Sequence, residues 1–307
     1  MNVSKTNRRG LSLNKFSMIV LIVSLAGNLL GLFFAYEFVM LRKQVARVQS
    51  SLRGASESVS KLTDIVDRSV TNRMVFLHHS VGKGILESGG LADSLMAMGV
   101  AMRGATYGDE VGERTDVCDW LPKFQRDLGR ILKFKAHPNI FYTGDTTNDI
   151  VMFKSCFPNS DIKTDGTAPG NPTSSERTLA NYKAAFTGLT TEFRNHPRTL
   201  FIYLTFPPLV PEETTPEAAL RVRTFNQWLQ SELVPAYEKE TGLTNLAVLD
   251  LFDILADNSN MLRAEYRNGR PHDSHPNEQA NREIARRFMD FFRPLWTRWQ
   301  QHLATDS

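Results

Sequence analysis

Cysteine is scarce in this chain: Cys118 and Cys156 are the only two among 307 residues. A multi-cysteine disulfide framework and a cysteine-only metal cage are therefore excluded. Net charge is low as well, +3 from 36 basic and 33 acidic side chains. The basic residues are scattered rather than interleaved with aromatics in one patch, so no nucleic-acid partner is expected. With 41% hydrophobic and 22% charged residues, the composition excludes wholesale disorder. No internal repeat is visible. What the chain does contain is one long apolar run near its start, followed by alternating strand-like and helix-like segments.

Phe16 to Tyr36 is an uncharged run, and about 20 such residues suffice to cross a bilayer. Lys5, Arg8, Arg9 and Lys15 precede it, while Glu37, Arg42, Lys43 and Arg47 follow. This balance leans toward a cytoplasmic N-terminus. A cleaved signal peptide would have a shorter apolar core, and Ala35-Tyr36-Glu37-Phe38 makes a poor cleavage site. The expectation is a signal anchor over 16–41, residues 1–15 in the cytoplasm, and the bulk of the chain outside (periplasmic in a bacterium). Beyond that run, Leu41, Val45, Val48, Leu52, Ala55, Val59, Leu62 and Val66 recur at steps of four and three, and 42–72 is expected to be a helical stalk. This spacing is a heptad seam, weakened by Gly54 and several serines. It reads either as a parallel coiled coil that makes a homodimer or as one amphipathic stalk helix lying on the domain.

Residues 73–307 read as a globular domain. Met74 to Leu77 is a short buried strand whose apolar run stops at His78-His79-Ser80, and from Gly84 the spacing of Ile85, Leu86, Leu91, Leu95 and Met96 suits a helix. Further strands are predicted at Val100 to Gly108, Asp149 to Cys156, Leu200 to Phe206 and Leu246 to Leu251. Helices are predicted at Leu121 to Lys135, Leu179 to Arg194 and Pro216 to Tyr237, with a last one from Asn277 to about Gln300. Phe157 to Glu176 is a long polar loop, a length usually associated with function or mobility. This alternation predicts an α/β fold with a parallel sheet covered on both faces.

Several residues that carry chemistry fall beyond strand ends or in the last loop. Ser80 follows the first strand, Gly108 the second and Asn159 the third, and Asp273 and His275 immediately precede the last helix. A serine hydroxyl becomes a useful nucleophile when an imidazole takes its proton and a carboxylate orients that imidazole. The resulting oxyanion needs fixed donors, which the backbone N–H groups of Ser80 and Gly108 and the Asn159 amide are placed to supply.

Taken together, His78-His79-Ser80, Ala105-Thr106-Tyr107-Gly108-Asp109, Cys156-Phe157-Pro158-Asn159-Ser160 and Asp273-Ser274-His275-Pro276-Asn277 resemble the four blocks of the SGNH hydrolase superfamily, the GDSL-like esterases and lipases. The resemblance spans about 73–300 and includes Tyr203 to Pro208 as a penultimate strand. It implies a flavodoxin-like three-layer α/β/α sandwich, with Ser80 as nucleophile, His275 as base and Asp273 as its orienting acid. Gly108 and Asn159 join Ser80 as oxyanion donors. No cofactor is implied. The expected activity is ester hydrolysis, of an O-acetyl group on an extracytoplasmic glycan or of a small ester. Acyl transfer to a sugar hydroxyl and a catalytically silent binding or assembly module are the alternatives.

The pattern departs from the family in three places. His78-His79 stands where Gly-Asp is usual, Phe-Pro-Asn-Ser replaces Gly-x-Asn-Asp, and one residue instead of two separates Asp273 from His275. Asp253 is the fallback acid. His79 is expected to line the site with His78 packed under it. The four histidines His78, His79, His272 and His275 do not form a familiar metal-ligand spacing. Gly144 to Asp149 mimics the family's Gly-Asp and Asn-Asp pairs but precedes a strand, and reads as a turn. Cys156 adjoins the same strand end but has no histidine near it in sequence, which favours a structural thiol. Cys118 and Cys156 are expected to follow strand ends on one side of the sheet, either as one disulfide or as two buried thiols. On the last helix, Arg282, Arg286, Arg287, Arg293 and Arg298 read as the solvated face, with Phe288, Phe291, Phe292, Leu295 and Trp299 buried.

Overall fold

The computed structural model describes residues 40–45, 47–51, 54 and 72–305. The chain divides into two compact units, 1–69 and 70–307. Of the first, the described residues are helical, and Met40, Leu41, Val45 and Val48 are exposed. The predicted membrane span and most of the heptad seam lie outside the described residues. Among the described residues, no helix is long and apolar enough to cross a membrane.

The second unit is built on five parallel strands: β1 (Asn72–Leu77), β2 (Val100–Ala105), β3 (Ile150–Phe153), β4 (Leu200–Leu204) and β5 (Leu246–Leu249). Their spatial order is β2-β1-β3-β4-β5, one of the two common doubly wound orders, in which ligands bind beyond the carboxyl ends of the strands. Between the strands lie α1 (Ser80–Leu86), α2 (Leu91–Met96), α3 (Val117–Lys133), α4 (Leu179–Arg194), α5 (Pro216–Trp228) and α6 (Val234–Thr241), and α7 (Leu251–Leu255) follows the last strand. Helix α8 (Glu278–Thr305) closes the unit.

Alternate strand residues face opposite sides of a sheet, and here both sides are apolar. Val75, Leu77, Val151, Phe153, Phe201 and Tyr203 join Trp120 and Phe124 of α3, Phe186 and Phe193 of α4 and Phe225 of α5 in one core. Met74, Phe76, Ile150, Met152, Ile202 and Leu204 join Val81 and Ile85 of α1, Leu251 of α7 and Phe288 and Phe292 of α8 in the other. Each fully buried side chain of this size contributes about 1.5–3 kcal/mol of burial energy. That two-sided demand explains why the strands read as continuous hydrophobic runs.

The register places the strand ends side by side. Leu77 pairs with Ala105 and with Phe153, Phe153 with Tyr203, and Tyr203 with Val248. Loops leaving β1, β2 and β3 consequently start on one edge of the sheet.

Some boundaries differ from the expectation. The first helix begins at Ser80, not Gly84, and is interrupted between Leu86 and Leu91, where Gly89-Gly90 gives poor helix propensity. The third helix begins at Val117, after a reciprocal capping box in which the Asp116 side chain accepts from the Asp119 N–H and the Asp119 carboxylate accepts from the Asp116 N–H at 3.3 Å. Cys118 therefore sits in a helix rather than beyond a strand, and both cysteines are free thiols. A two-stranded hairpin, Phe134–Ala136 with Ile140–Phe141, was not expected. Gly144 to Asp149 does lie between that hairpin and β3 as loop and turn.

Candidate active site

Ser80 is the first residue of α1, directly after the carboxyl end of β1, and His79 precedes it in extended backbone. Its hydroxyl is exposed and lies 2.7 Å from His275 Nε2. On the other side of that ring, Nδ1 lies 2.5 Å from Asp273 Oδ1, which also accepts from the His275 backbone N–H at 3.0 Å. One carboxylate oxygen thus fixes both the backbone turn and the ring across a separation of one residue. The side chains of His275 and Asp273 are 37% and 22% exposed, so the site is open to solvent.

Burial alone would raise the Asp273 carboxyl. The hydrogen bonds from the His275 backbone, the His275 ring and Asn268 outweigh it and hold the group below the usual carboxylate range. An ionised Asp273 can only accept, so Nδ1 carries the ring proton and Nε2 offers its lone pair to the serine hydroxyl.

The loop bearing Asp273 and His275 is anchored on several sides. Buried Ser274 accepts from the Val210 N–H at 3.0 Å. Arg267 and Pro276 form an isolated bridge, and the Asn277 amide donates to the carbonyls of Glu265 and Arg267. The same Asn277 caps the start of α8 through the Ala280 N–H at 3.0 Å. Helix α8 is tied to the end of α1 by Asn281 Nδ2, which donates to Ser88 Oγ at 3.0 Å. Phe157 packs edge-on to the His275 ring, 4.9 Å between centroids at 76°.

The remaining site residues named from sequence are placed differently. Gly108 has φ of +85°, and its N–H donates to Glu113 Oε1 at 2.7 Å. The buried Asn159 amide accepts from the Val117 N–H at 3.1 Å and donates to Asp116 Oδ1 at 2.7 Å and the Cys156 carbonyl at 3.3 Å. It ties the β3 loop to the start of α3, and both its amide hydrogens are committed there. Asp253, the fallback acid, pairs instead with Arg223 at 3.0 Å.

His79 is buried, with its ring stacked on Tyr107 at 3.7 Å. His78 packs against Phe76 at 4.7 Å, and its Nδ1 donates to the His79 carbonyl. Burial lowers both imidazoles, His78 to about 4. Among the described residues, no group of three or more His, Cys, Asp or Glu side chains is disposed to hold a metal ion.

Sequence reasoning passed over Ser274, Phe157 and Glu113. Ser274 and Phe157 lie inside the segments singled out above, but the packing of Phe157 on His275 depends on how separate loops meet. Glu113 reaches Gly108 within one loop.

No family model matches this chain, and no curated protein does. Among solved structures, a protein from Desulfitobacterium hafniense DCB-2 assigned to the G-D-S-L lipolytic family is 13% identical. That match has a TM-score of 0.39 and covers 70% of this chain and 99% of the other. A gut microbial diltiazem-metabolizing enzyme is also 13% identical, with a TM-score of 0.42 over 72% of this chain and 47% of its own. A family two carbohydrate esterase from Cellvibrio japonicus is 12% identical, with a TM-score of 0.38 over 75% and 63% respectively. At these values the likeness is a distant one, and no residue role or substrate is carried from it to this chain.

Proposed function

We propose that this chain is a serine esterase that removes acyl groups through a Ser80–His275–Asp273 relay. The single observation that carries the reading is the continuous hydrogen-bonded path from the Ser80 hydroxyl through His275 to Asp273. In the proposed cycle, Ser80 Oγ attacks the ester carbonyl while Nε2 of His275 takes its proton. The imidazolium, stabilised by Asp273, returns that proton to the leaving alcohol. Water then attacks the acyl-enzyme by the same base and frees Ser80.

An acetyl ester on a polymeric glycan is the substrate class we favour. The nucleophile is exposed and could meet a group projecting from a bulky chain. A polar cavity of about 300 Å³, lined by Asp116, Pro158, Asn159, Ser174, Arg177 and Tyr182, borders the same β3 loop. The uncharged run at 16–36 supports tethering to a membrane with the domain on its outer side. Acyl transfer to a sugar hydroxyl would use the same steps, with that hydroxyl in place of water.

A second reading, a silent binding or assembly module, is favoured by the oxyanion donors: Gly108 N–H is engaged by Glu113, and the Asn159 amide by Asp116 and Cys156. Purified full chain and its Ser80→Ala variant, assayed side by side with p-nitrophenyl acetate, decide between the two. Serine-dependent turnover is expected. Equal background rates for both proteins would leave the silent module.

A further inference from the structure

Beside the serine relay lies a second set of reactive groups that the relay does not use. The Nε2 of His79 is 2.9 Å from the Gly112 carbonyl oxygen. A carbonyl only accepts, so in the neutral ring Nε2 carries the proton and Nδ1 is a free base. That nitrogen faces the Cys156 sulfur at 3.0 Å. Thr115 Oγ1 lies 3.2 Å from the same nitrogen and 3.9 Å from the sulfur. Tyr107 is stacked on the His79 ring, with its hydroxyl close enough to Cys156 to interact with it. The ammonium of Lys154, fully buried, donates to the Ser155 carbonyl at 2.7 Å and is close enough to Cys156 to interact with a charge there.

The histidine that the sequence could not pair with Cys156 is therefore supplied by the β1 loop. We propose that Cys156 is a nucleophilic thiol with His79 Nδ1 as its proton acceptor, forming a modification site for small disulfides and other soft electrophiles. With a disulfide, Sγ attacks one sulfur, a new S–S bond forms and the old one breaks. The departing half leaves as a thiolate, and the Cys156 proton moves to His79 Nδ1. The only oxidant is the disulfide itself, which is reduced to one thiol and one mixed-disulfide half.

The charged pair that forms on the way finds a partner at each of its polar atoms. An imidazolium at His79 donates from Nε2 to Gly112 and from Nδ1 to the sulfur, leaving neither N–H unpaired. The hydroxyls of Thr115 and Tyr107 can both turn toward a thiolate. Burial opposes the charged ring and, with Lys154 and Lys123, lowers the imidazole, while the Gly112 carbonyl and Glu113 act the other way.

Cys118 is a built-in control. It is half-buried like Cys156, but burial and the nearby carboxylates of Asp119 and Asp116 push its thiol up. The experiment treats the full chain near neutral pH with excess glutathione disulfide, quenches with acid and maps both cysteines by mass spectrometry. Cys156 is expected to form the mixed disulfide at least roughly tenfold faster than Cys118. His79→Gln is expected to remove most of that advantage, and Thr115→Val part of it, with the Cys118 rate unchanged. Comparable rates at the two cysteines in the unmodified protein overturn the proposal. So does a Cys156 rate untouched by His79→Gln. If His79→Gln unfolds the domain, which a jump in the Cys118 rate would reveal, the wild-type comparison and Thr115→Val decide the matter.

Discussion

The His275 ring nitrogen Nε2 lies 2.7 Å from Ser80 Oγ across a separation of 195 positions in sequence. The contact forms because α1 starts at the carboxyl edge of the sheet, where the loop before α8 meets it, and Asn281 of α8 holds Ser88 beyond the far end of α1. If this pair is the nucleophile and base, Ser80→Ala and His275→Ala should each lower kcat/KM on p-nitrophenyl acetate by about 10³–10⁴-fold. The double variant should be no worse than either single one, because the two act as a unit. Additive losses would mean that the two groups do not share one step.

Asp273 and Asp253 make opposite predictions. Asp273 Oδ1 holds both the ring and the backbone of His275, whereas Asp253 is engaged with Arg223. Asp273→Asn should lower kcat by at least about 10²-fold, since it disturbs the tautomer and the imidazolium. Asp253→Asn should leave kcat unchanged. The reverse result would move the acid to the fallback position.

Much of this arrangement was legible in the chain. The β1 and β4 runs are continuous and apolar because both sheet faces are covered, and α4 ran over the residues its periodicity marked. Ser80 could be picked out because it lies at a break between a strand and a helix, and Asp273 and His275 because they immediately precede the last helix. Other features depend on loop-to-loop contacts that no local pattern encodes. Nothing in Cys156-Phe157-Pro158-Asn159 shows that the amide will turn toward Val117 and Asp116, or that the thiol will meet His79. The hairpin at Phe134–Phe141 was missed because its strands are only three and two residues long, too short to display a period.

Asn159 tests the difference between a structural amide and an oxyanion donor. Its bonds to Val117, Asp116 and Cys156 predict that Asn159→Ala destabilises the domain by about 1–3 kcal/mol, the cost of leaving buried partners unsatisfied. Chemical denaturation measures this, and kcat per folded molecule should fall only slightly. A loss of kcat by about 10²-fold or more with unchanged stability would return Asn159 to the oxyanion site.

Gly108 presents the converse case. Its N–H points to the Glu113 carboxylate, which would compete with a developing oxyanion for the same donor. If Gly108 serves that oxyanion, Glu113→Ala should raise kcat/KM several-fold, roughly the value of one freed hydrogen bond. Gly108→Ala should meanwhile cost about 1–2 kcal/mol in stability, because φ of +85° strains any residue with a Cβ. An unchanged or lower kcat/KM in Glu113→Ala would remove Gly108 from the reaction.

The last prediction concerns pH and rests on His78. Burial drives its imidazole from the ordinary 6.5 down to about 4, with Lys154 adding to the effect and the bond to the His79 carbonyl opposing it. The ring is confined by Gly104, where an added Cβ would lie 2.7 Å from His78 Nε2. Between these two values the unfolded chain binds a proton that the folded ring refuses. The free energy of unfolding therefore rises with pH across that window and falls on acidification, by about 3 kcal/mol once pH drops below both values. Thermal melts between pH 6.5 and pH 4 should show a steeper acid loss in the wild type than in His78→Asn, which titrates nothing at that position. The variant should melt lower near neutrality, where the wild-type ring is neutral and well packed. Parallel melting curves for the two proteins across the window would mean that His78 is freely protonated in the fold, and would require a different account of why it is buried beneath the serine loop.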